Sequence, residues 1–164
     1  MDPPVDCLVD GQPGERISVR DPAVAYGMAV FEVARTYAGR PFRLGQHLQR
    51  LRASAEFFGF PWPGDGPLEQ DCSRVLDART DHADCAIHIL LTGGGCRVVR
   101  LQALDRARVG APIRLGTLRW TPPAFLPGWV KHTDRAGWMM AAKMQGVDEV
   151  VFEDADGLWT EANR

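Results

Sequence analysis

The two side chains with the clearest chemical potential are Lys131 and Glu161, which lie thirty positions apart in the sequence. Lys131 follows the apolar pair Trp129-Val130, and Glu161 closes a predicted hairpin. A primary amine in a pocket can condense with an aldehyde, and a nearby carboxylate can keep a heteroaromatic nitrogen protonated. Alone, either residue would be interpreted as a solvated surface charge. As a pair they suggest a pyridoxal phosphate site, which the surrounding elements must assemble.

The first part of the chain combines strands and helices. Turn residues together with β-branched, aromatic and other apolar residues predict the strands, while apolar residues spaced by three and four predict the helices. The strands are predicted at residues 5–9, 16–19, 29–37, 42–44, 86–92 and 98–104, and the helices at 48–58 and 68–78. This order predicts an α+β fold, with helices packed against a mostly antiparallel sheet.

The remainder of the chain predicts the start of a second domain. A strand at 111–120 precedes a proline-rich stretch at 121–128, which cannot be regular structure because proline removes backbone donors. A helix at 133–145 follows, with Ala136, Met139, Met140 and Met144 on one side, and then a hairpin of strands at 148–152 and 158–161. We therefore predict a domain at 1–110, a linker with the first strand at 111–128, and the second domain from 129 to 164.

Composition excludes several classes of partner. The 164 residues are 45% hydrophobic and carry a net charge of -2, so the chain can bury a core and has no basic field for nucleic acid or an anionic membrane. No apolar run approaches the roughly 20 residues of a membrane-spanning helix. The four cysteines form no Cys-x-x-Cys pair and no signal peptide is visible, which favours the cytoplasm. The sequence offers no zinc ligand set, so we expect no metal.

Four motifs in a fixed order resemble one enzyme family. They are Tyr-Gly-Met-Ala-Val-Phe-Glu-Val-Ala-Arg at 26–35, His-Leu-Gln-Arg-Leu at 47–51, Val-Lys-His-Thr-Asp-Arg at 130–135 and Thr-Glu-Ala-Asn at 160–163. Together they resemble the pyridoxal phosphate enzymes of fold type IV: the class IV aminotransferases, including D-amino acid aminotransferases, and aminodeoxychorismate lyase. The resemblance covers nearly the whole chain. It implies the two-domain architecture of that fold, with the small N-terminal α+β domain complete and the larger C-terminal domain only partly present.

The resemblance implies a role for three residues at the cofactor. Lys131 matches the lysine that forms a Schiff base with pyridoxal phosphate and then moves a proton at the substrate α-carbon, which requires a lowered pKa. Glu161 matches the carboxylate that pairs with the pyridine nitrogen, and Arg50 matches the arginine that binds the cofactor phosphate.

The resemblance also implies a substrate pocket bordered by Phe31, Tyr26 and Arg35. The substrate would be an amino acid or amino-bearing acid, which transamination or a lyase-type elimination would convert. Gly93 stands where several relatives carry an arginine for the substrate carboxylate. Gly93-Gly94-Gly95 would serve either as an anion-binding loop or simply as a hairpin turn.

Two alternatives to a pyridoxal phosphate enzyme stay open at this stage. Relatives continue past position 163 with elements that complete the cofactor site, so we expect a second chain to complete the C-terminal domain, and a homodimer of the assembled unit. One alternative is a chain released by autoproteolysis, whose partner begins with a Ser or Thr nucleophile and performs acyl transfer or amide hydrolysis without the cofactor. Another is a non-catalytic binding module.

Overall fold

In the computed structural model, the strand predicted at 29–37 is present as β3, Ala29–Tyr37. The structure describes residues 5–79, 83–121, 123 and 125–162, so Asn163 of the last motif lies outside the described residues. The chain forms two compact units, one of Met1–Leu104 with Trp129–Thr133 and the other of Asp105–Gly128 with Asp134–Arg164. The predicted domain boundaries at 110 and 128 stay predictions.

An antiparallel sheet organises the first unit. Its strands are β1 (Cys7–Val9), β2 (Gln12–Pro13), β3, β4 (Arg40–Pro41), β5 (Cys85–Thr92) and β6 (Arg97–Ala103), in the spatial order β2-β1-β6-β5-β3-β4. The long central pairs place Val33 opposite His88, and His88 opposite Arg100. Because side chains alternate across each strand, one face of this sheet carries the apolar residues that form the core.

Two amphipathic helices cover that face. These are α2 (Leu44–Phe58), which follows the predicted three-and-four spacing, and α3 (Asp65–Asp77). The α2 helix ends at Gly59, whose φ of 68° is the left-handed conformation that glycine adopts at helix C-termini. The buried core that the helices and sheet share includes Leu8, Val30, Leu48, Leu51, Ala55, Leu68, Cys72, Val75, Ile87, Ile89, Leu91 and Val99.

Two predicted strands are wrong. The strand at 16–19 is absent; instead Asp10 and Gly11 turn with positive φ, and β2 pairs with β1 immediately afterwards. The strand at 42–44 is also absent, because β4 ends at Pro41 and α2 already begins at Leu44. A short helix that the sequence analysis missed, α1 (Pro22–Tyr26), begins after Asp21, whose side chain accepts a hydrogen bond from the Ala23 N–H.

The glycines between β5 and β6 are required by close packing. The Gly93 N–H donates to the Met28 carbonyl at 2.8 Å, and the Gly95 N–H donates to the Thr92 carbonyl at 2.9 Å. A Cβ on Gly94 would lie 2.5 Å from Oδ2 of Asp21. The N–H groups of Gly93 and Gly95 therefore already donate to backbone carbonyls, which favours the simple turn over the anion-binding loop.

The second unit is built on a three-stranded sheet in the order β7-β8-β9. Its strands are β7 (Leu115–Arg119), β8 (Glu149–Glu153), parallel to β7, and β9 (Trp159–Ala162), antiparallel to β8. The helix α4 (Ala136–Gln145) begins three residues later than predicted. Its buried residues are Ala141 and Ala142, whereas the methionines of the predicted apolar side, Met139, Met140 and Met144, are exposed.

Aromatic rings form the centre of the second unit. The rings of Trp120, Trp138 and Phe152 lie 5.0 to 5.6 Å apart between centroids, in tilted and edge-to-face arrangements. Such pairs stabilise a core beyond the area they bury. Among the described helices of both units, none has the length and apolarity that crossing a membrane requires.

We predict that Gly94→Ala destabilises the protein by about 2 kcal/mol, because overpacking a fixed site costs about 1–3 kcal/mol. Asp21 cannot move away without losing its hydrogen bonds from the Ala23 N–H and the Thr92 hydroxyl. The check is urea unfolding beside Gly45→Ala, a helical position with nothing within 4 Å of the added Cβ. Equal stability of the two variants would contradict the packing argument.

Candidate active site

The two faces of β3 have different surroundings. Val30, Glu32, Ala34 and Thr36 are buried on the face that the helices cover, whereas Phe31 and Arg35 are partly exposed on the other. This alternation follows from the period of two in a strand. The side chains of the consecutive residues Phe31 and Glu32 therefore lie on opposite faces of the strand.

Glu32 is a fully buried carboxylate with two hydrogen-bond partners on α2, Arg50 and His47. Its side chain is 0% exposed, and both of its oxygens accept hydrogen bonds from Arg50: Nε donates to Oε1, and Nη2 donates to Oε2 at 2.7 Å. His47 Nδ1 lies 2.8 Å from Oε2 and donates there, since an ionised carboxylate only accepts. Burial alone would raise the pKa of Glu32, but the hydrogen bonds from Arg50 and His47 outweigh it and hold that pKa below its ordinary value.

The segment that carries Lys131 pairs with the edge of β3. Val30 forms an isolated antiparallel bridge with His132, the Phe31 N–H donates to the Lys131 carbonyl at 3.1 Å, and the Thr133 N–H donates to the Ala29 carbonyl at 2.9 Å. Lys131 thus lies directly across from Phe31. Its Nζ lies 4.7 Å from the centroid of the Phe31 ring, a cation–π geometry.

Helix α2 holds the same segment from the other side. The Lys131 N–H donates to the buried hydroxyl of Ser54 at 3.2 Å, and the Trp129 ring packs edge-to-face on Phe57 at 5.7 Å. Ser54 and Arg50 are four residues apart, so they lie one turn apart on the same side of α2. One strand and one helix therefore fix both the backbone of the candidate catalytic lysine and the candidate phosphate-binding arginine.

The candidate pocket residues Arg35 and Tyr26 occupy other positions in the first unit. Arg35 lies on the same face of β3 as Phe31, where its guanidinium stacks on Tyr37 at 4.6 Å and its Nη2 lies 3.9 Å from Asp84. Tyr26, at the end of α1, is 78% exposed. The roles of Phe31, Tyr26 and Arg35 in a substrate pocket stay predictions.

Glu161 lies on β9, and both Glu161 and Arg135 belong to the second unit. The Arg135 guanidinium stacks over the Trp138 ring at 4.3 Å. Burial lowers the pKa of Arg135, and the negative charge of Glu161 acts in the opposite direction. The charge of Glu161 therefore acts on a cation of its own unit. The pairing of Glu161 and Lys131 at one cofactor ring stays a prediction.

Glu32, His47 and Ser54 belong to this arrangement but were not among the site residues predicted from the sequence. A signal for Glu32 was present, because a carboxylate at an inward position of an alternating strand needs a cationic partner. Ser54 likewise stands on the apolar side of α2, beside Leu51 and Ala55. Across the described parts of the chain, no cluster of three or more His, Cys, Asp or Glu residues could hold a metal ion.

Comparison with known proteins identifies the family. The amino-transferase class IV family matches residues 29–164, and the chain belongs to it. Over 74 residues the chain is 32% identical to a Schizosaccharomyces pombe protein provisionally named aminodeoxychorismate lyase. This match covers 43% of this chain and 31% of that protein. The resemblance stated from the motifs is thereby confirmed.

Solved structures confirm the fold. An aminotransferase from Mycobacterium tuberculosis, described as hypothetical and solved in its PLP-bound form, superposes with a TM-score of 0.79 at 23% identity over 96% of this chain and 65% of its own. A branched-chain aminotransferase from Thermoproteus uzoniensis, solved with norvaline, gives a TM-score of 0.81 at 22% identity over 96% and 62%. The α+β architecture is therefore that of the fold-type IV enzymes, and the chain spans less than two thirds of these relatives.

We predict that Glu32→Gln lowers the free energy of unfolding by about 2 kcal/mol at neutral pH, since hydrogen bonds to charged groups contribute about 1.5–3 kcal/mol each. The folded pKa of Glu32 lies below its ordinary 4.5. Its contribution is thus complete above that pH and is lost as the pH falls through the lowered pKa. The check is urea unfolding of both proteins at neutral pH and below pH 4.5. The difference in the free energy of unfolding between wild type and Glu32→Gln should be smaller in acid.

The matched control is Glu56→Gln, which breaks the exposed Arg52–Glu56 pair of the same helix, with side chains 54% and 60% exposed. This change should leave the free energy of unfolding close to that of wild type, because exposed ion pairs contribute little. A difference between wild type and Glu32→Gln that is independent of pH would contradict the role of the Glu32 charge.

Proposed function

We propose that this chain belongs to a pyridoxal phosphate enzyme that acts on an amino acid or amino-bearing acid, by transamination or by a lyase-type elimination. The observation that carries the proposal is the arrangement in the first unit, where β3 and α2 hold both Lys131 and Arg50. Family membership supports it, as does the PLP-bound form of one solved relative.

The donor chemistry fits this cofactor. The half-buried residue Lys131 offers a primary amine, Arg50 offers a guanidinium on a side chain that is 50% exposed, and Glu161 offers a carboxylate. These groups suit an aldehyde, a phosphate and a pyridine nitrogen respectively. When bound, pyridoxal phosphate supplies an electron sink for the substrate α-carbon.

Each of the candidate site residues would have a separate role at the cofactor or the substrate. The Lys131 amine would bind the cofactor and then move the proton at the α-carbon, for which the Ser54 and Phe31 contacts fix its backbone. Glu161 would keep the ring nitrogen protonated, and Arg50 would hold the phosphate. Phe31, Tyr26 and Arg35 would border the substrate.

Two observations favour the lyase branch of the family. Lys131-His132 followed by Asp134-Arg135 leans toward that branch, and the S. pombe relative carries a lyase name. A homodimer, expected from the resemblance, remains part of this proposal.

The sequence supplies a sharp test because it contains two lysines, Lys131 and Lys143. Lys143 is exposed on α4, whereas Lys131 is half-buried. We predict that purified protein titrated with pyridoxal phosphate shows the visible absorption of a lysine-bound cofactor, that Lys131→Ala abolishes it, and that Lys143→Ala leaves it unchanged. Loss of the absorption only in Lys143→Ala, or its absence in folded wild type, would refute the proposal.

A further inference from the structure

We propose that Glu32, supported by His47, is a positioning residue that orients the Arg50 guanidinium toward the cofactor phosphate. This inference rests on the proposed function, since it takes Arg50 as the phosphate ligand. The Glu32 side chain is fully buried on the helix-covered face of β3. It therefore acts through Arg50 and does not itself contact the cofactor.

The contact geometry fixes one edge of the guanidinium. Glu32 accepts from Nε with one oxygen and from Nη2 with the other, the two-point pairing that best defines the plane of an arginine. An arginine carries five N–H donors, and this pairing uses two of them. Among the described residues, Glu32 is the hydrogen-bond partner of Arg50, which leaves the Nη1 edge for an anion.

His47 restrains the carboxylate in turn. Its Nδ1 donates to the Glu32 oxygen that also accepts from Arg50 Nη2. His47 and Arg50 are three residues apart on α2, so both approach Glu32 from one side of the helix. The second donor fixes the orientation of the Glu32 carboxylate, and through it the plane of the Arg50 guanidinium.

A second arginine–carboxylate pair on α2 shows what this arrangement adds. Arg52 donates to Glu56 at 2.8 Å, but both side chains are exposed and the carboxylate lies on the same helix. Solvent screens that pair, and neither side chain is anchored in the core. Glu32, by contrast, is fixed by its strand, so Arg50 is ordered before any ligand arrives. Ordering a ligand-binding side chain in advance raises affinity by reducing the ordering cost of binding.

The test compares pyridoxamine 5′-phosphate with pyridoxamine, which differ by the phosphate and cannot form a Schiff base with Lys131. The ratio of their dissociation constants, measured by calorimetry, reports the phosphate contacts. We expect Glu32→Gln to reduce this preference for the phosphate by about tenfold, as for loss of a charge-assisted contact. Arg50→Gln should reduce it at least as much, and the double variant no more than Arg50→Gln alone. Arg52→Gln should leave it within about twofold.

Two results would overturn the inference: a phosphate preference in Glu32→Gln within twofold of wild type, or a further reduction when Glu32→Gln is added to Arg50→Gln. If Glu32→Gln does not fold, His47→Ala removes one donor and should reduce the preference by about threefold; an unchanged preference there also refutes it. Failure of the proposed function is distinct, because it appears as the absence of pyridoxal phosphate binding at Lys131 in wild type.

Discussion

The buried charge of Glu32 is the constraint on which the first unit depends. A carboxylate removed from water is costly unless cations and donors compensate it, and Arg50 and His47 supply both. Because β3 provides the carboxylate and α2 provides its partners, the pairing also fixes the position of the helix along the strand. Apolar packing alone tolerates sliding more readily than a two-point ionic contact does.

The same strand and helix also hold Lys131, through contacts with other residues than those that bind Glu32. Phe31 lies next to Glu32 in sequence but on the opposite face, where its ring contacts the Lys131 amine. Ser54, one turn beyond Arg50, accepts from the Lys131 backbone. The segment Trp129–Thr133 belongs to the first unit, although most of the chain around it belongs to the second. Long-range pairing therefore places this short segment, and local propensity does not.

Local patterns predicted much of the fold and part of the candidate site. The alternation of β3 and the three-and-four spacing of α2 are strong signals because each element buries one face of a continuous core. The predictions of strands at 16–19 and 42–44 were wrong for different reasons. A tight turn at Asp10-Gly11 places the partner of β1 directly after it, and α2 begins as early as Leu44. Lys131, Arg50 and Glu161 came from the order of the family motifs. His47 and Arg50 lie 15 and 18 residues from Glu32, and Ser54 lies 77 residues from Lys131, so the local pattern could not reveal these partners.

The central claim is that one strand and one helix hold a reactive amine for the cofactor aldehyde. Borohydride reduction of the protein after incubation with pyridoxal phosphate, followed by peptide mass mapping, tests it most directly because reduction makes the lysine adduct permanent. The account predicts a single phosphopyridoxyl group on Lys131, formed at cofactor concentrations that leave Lys143 unmodified. Equal modification of both lysines, or modification of Lys143 alone, would contradict it.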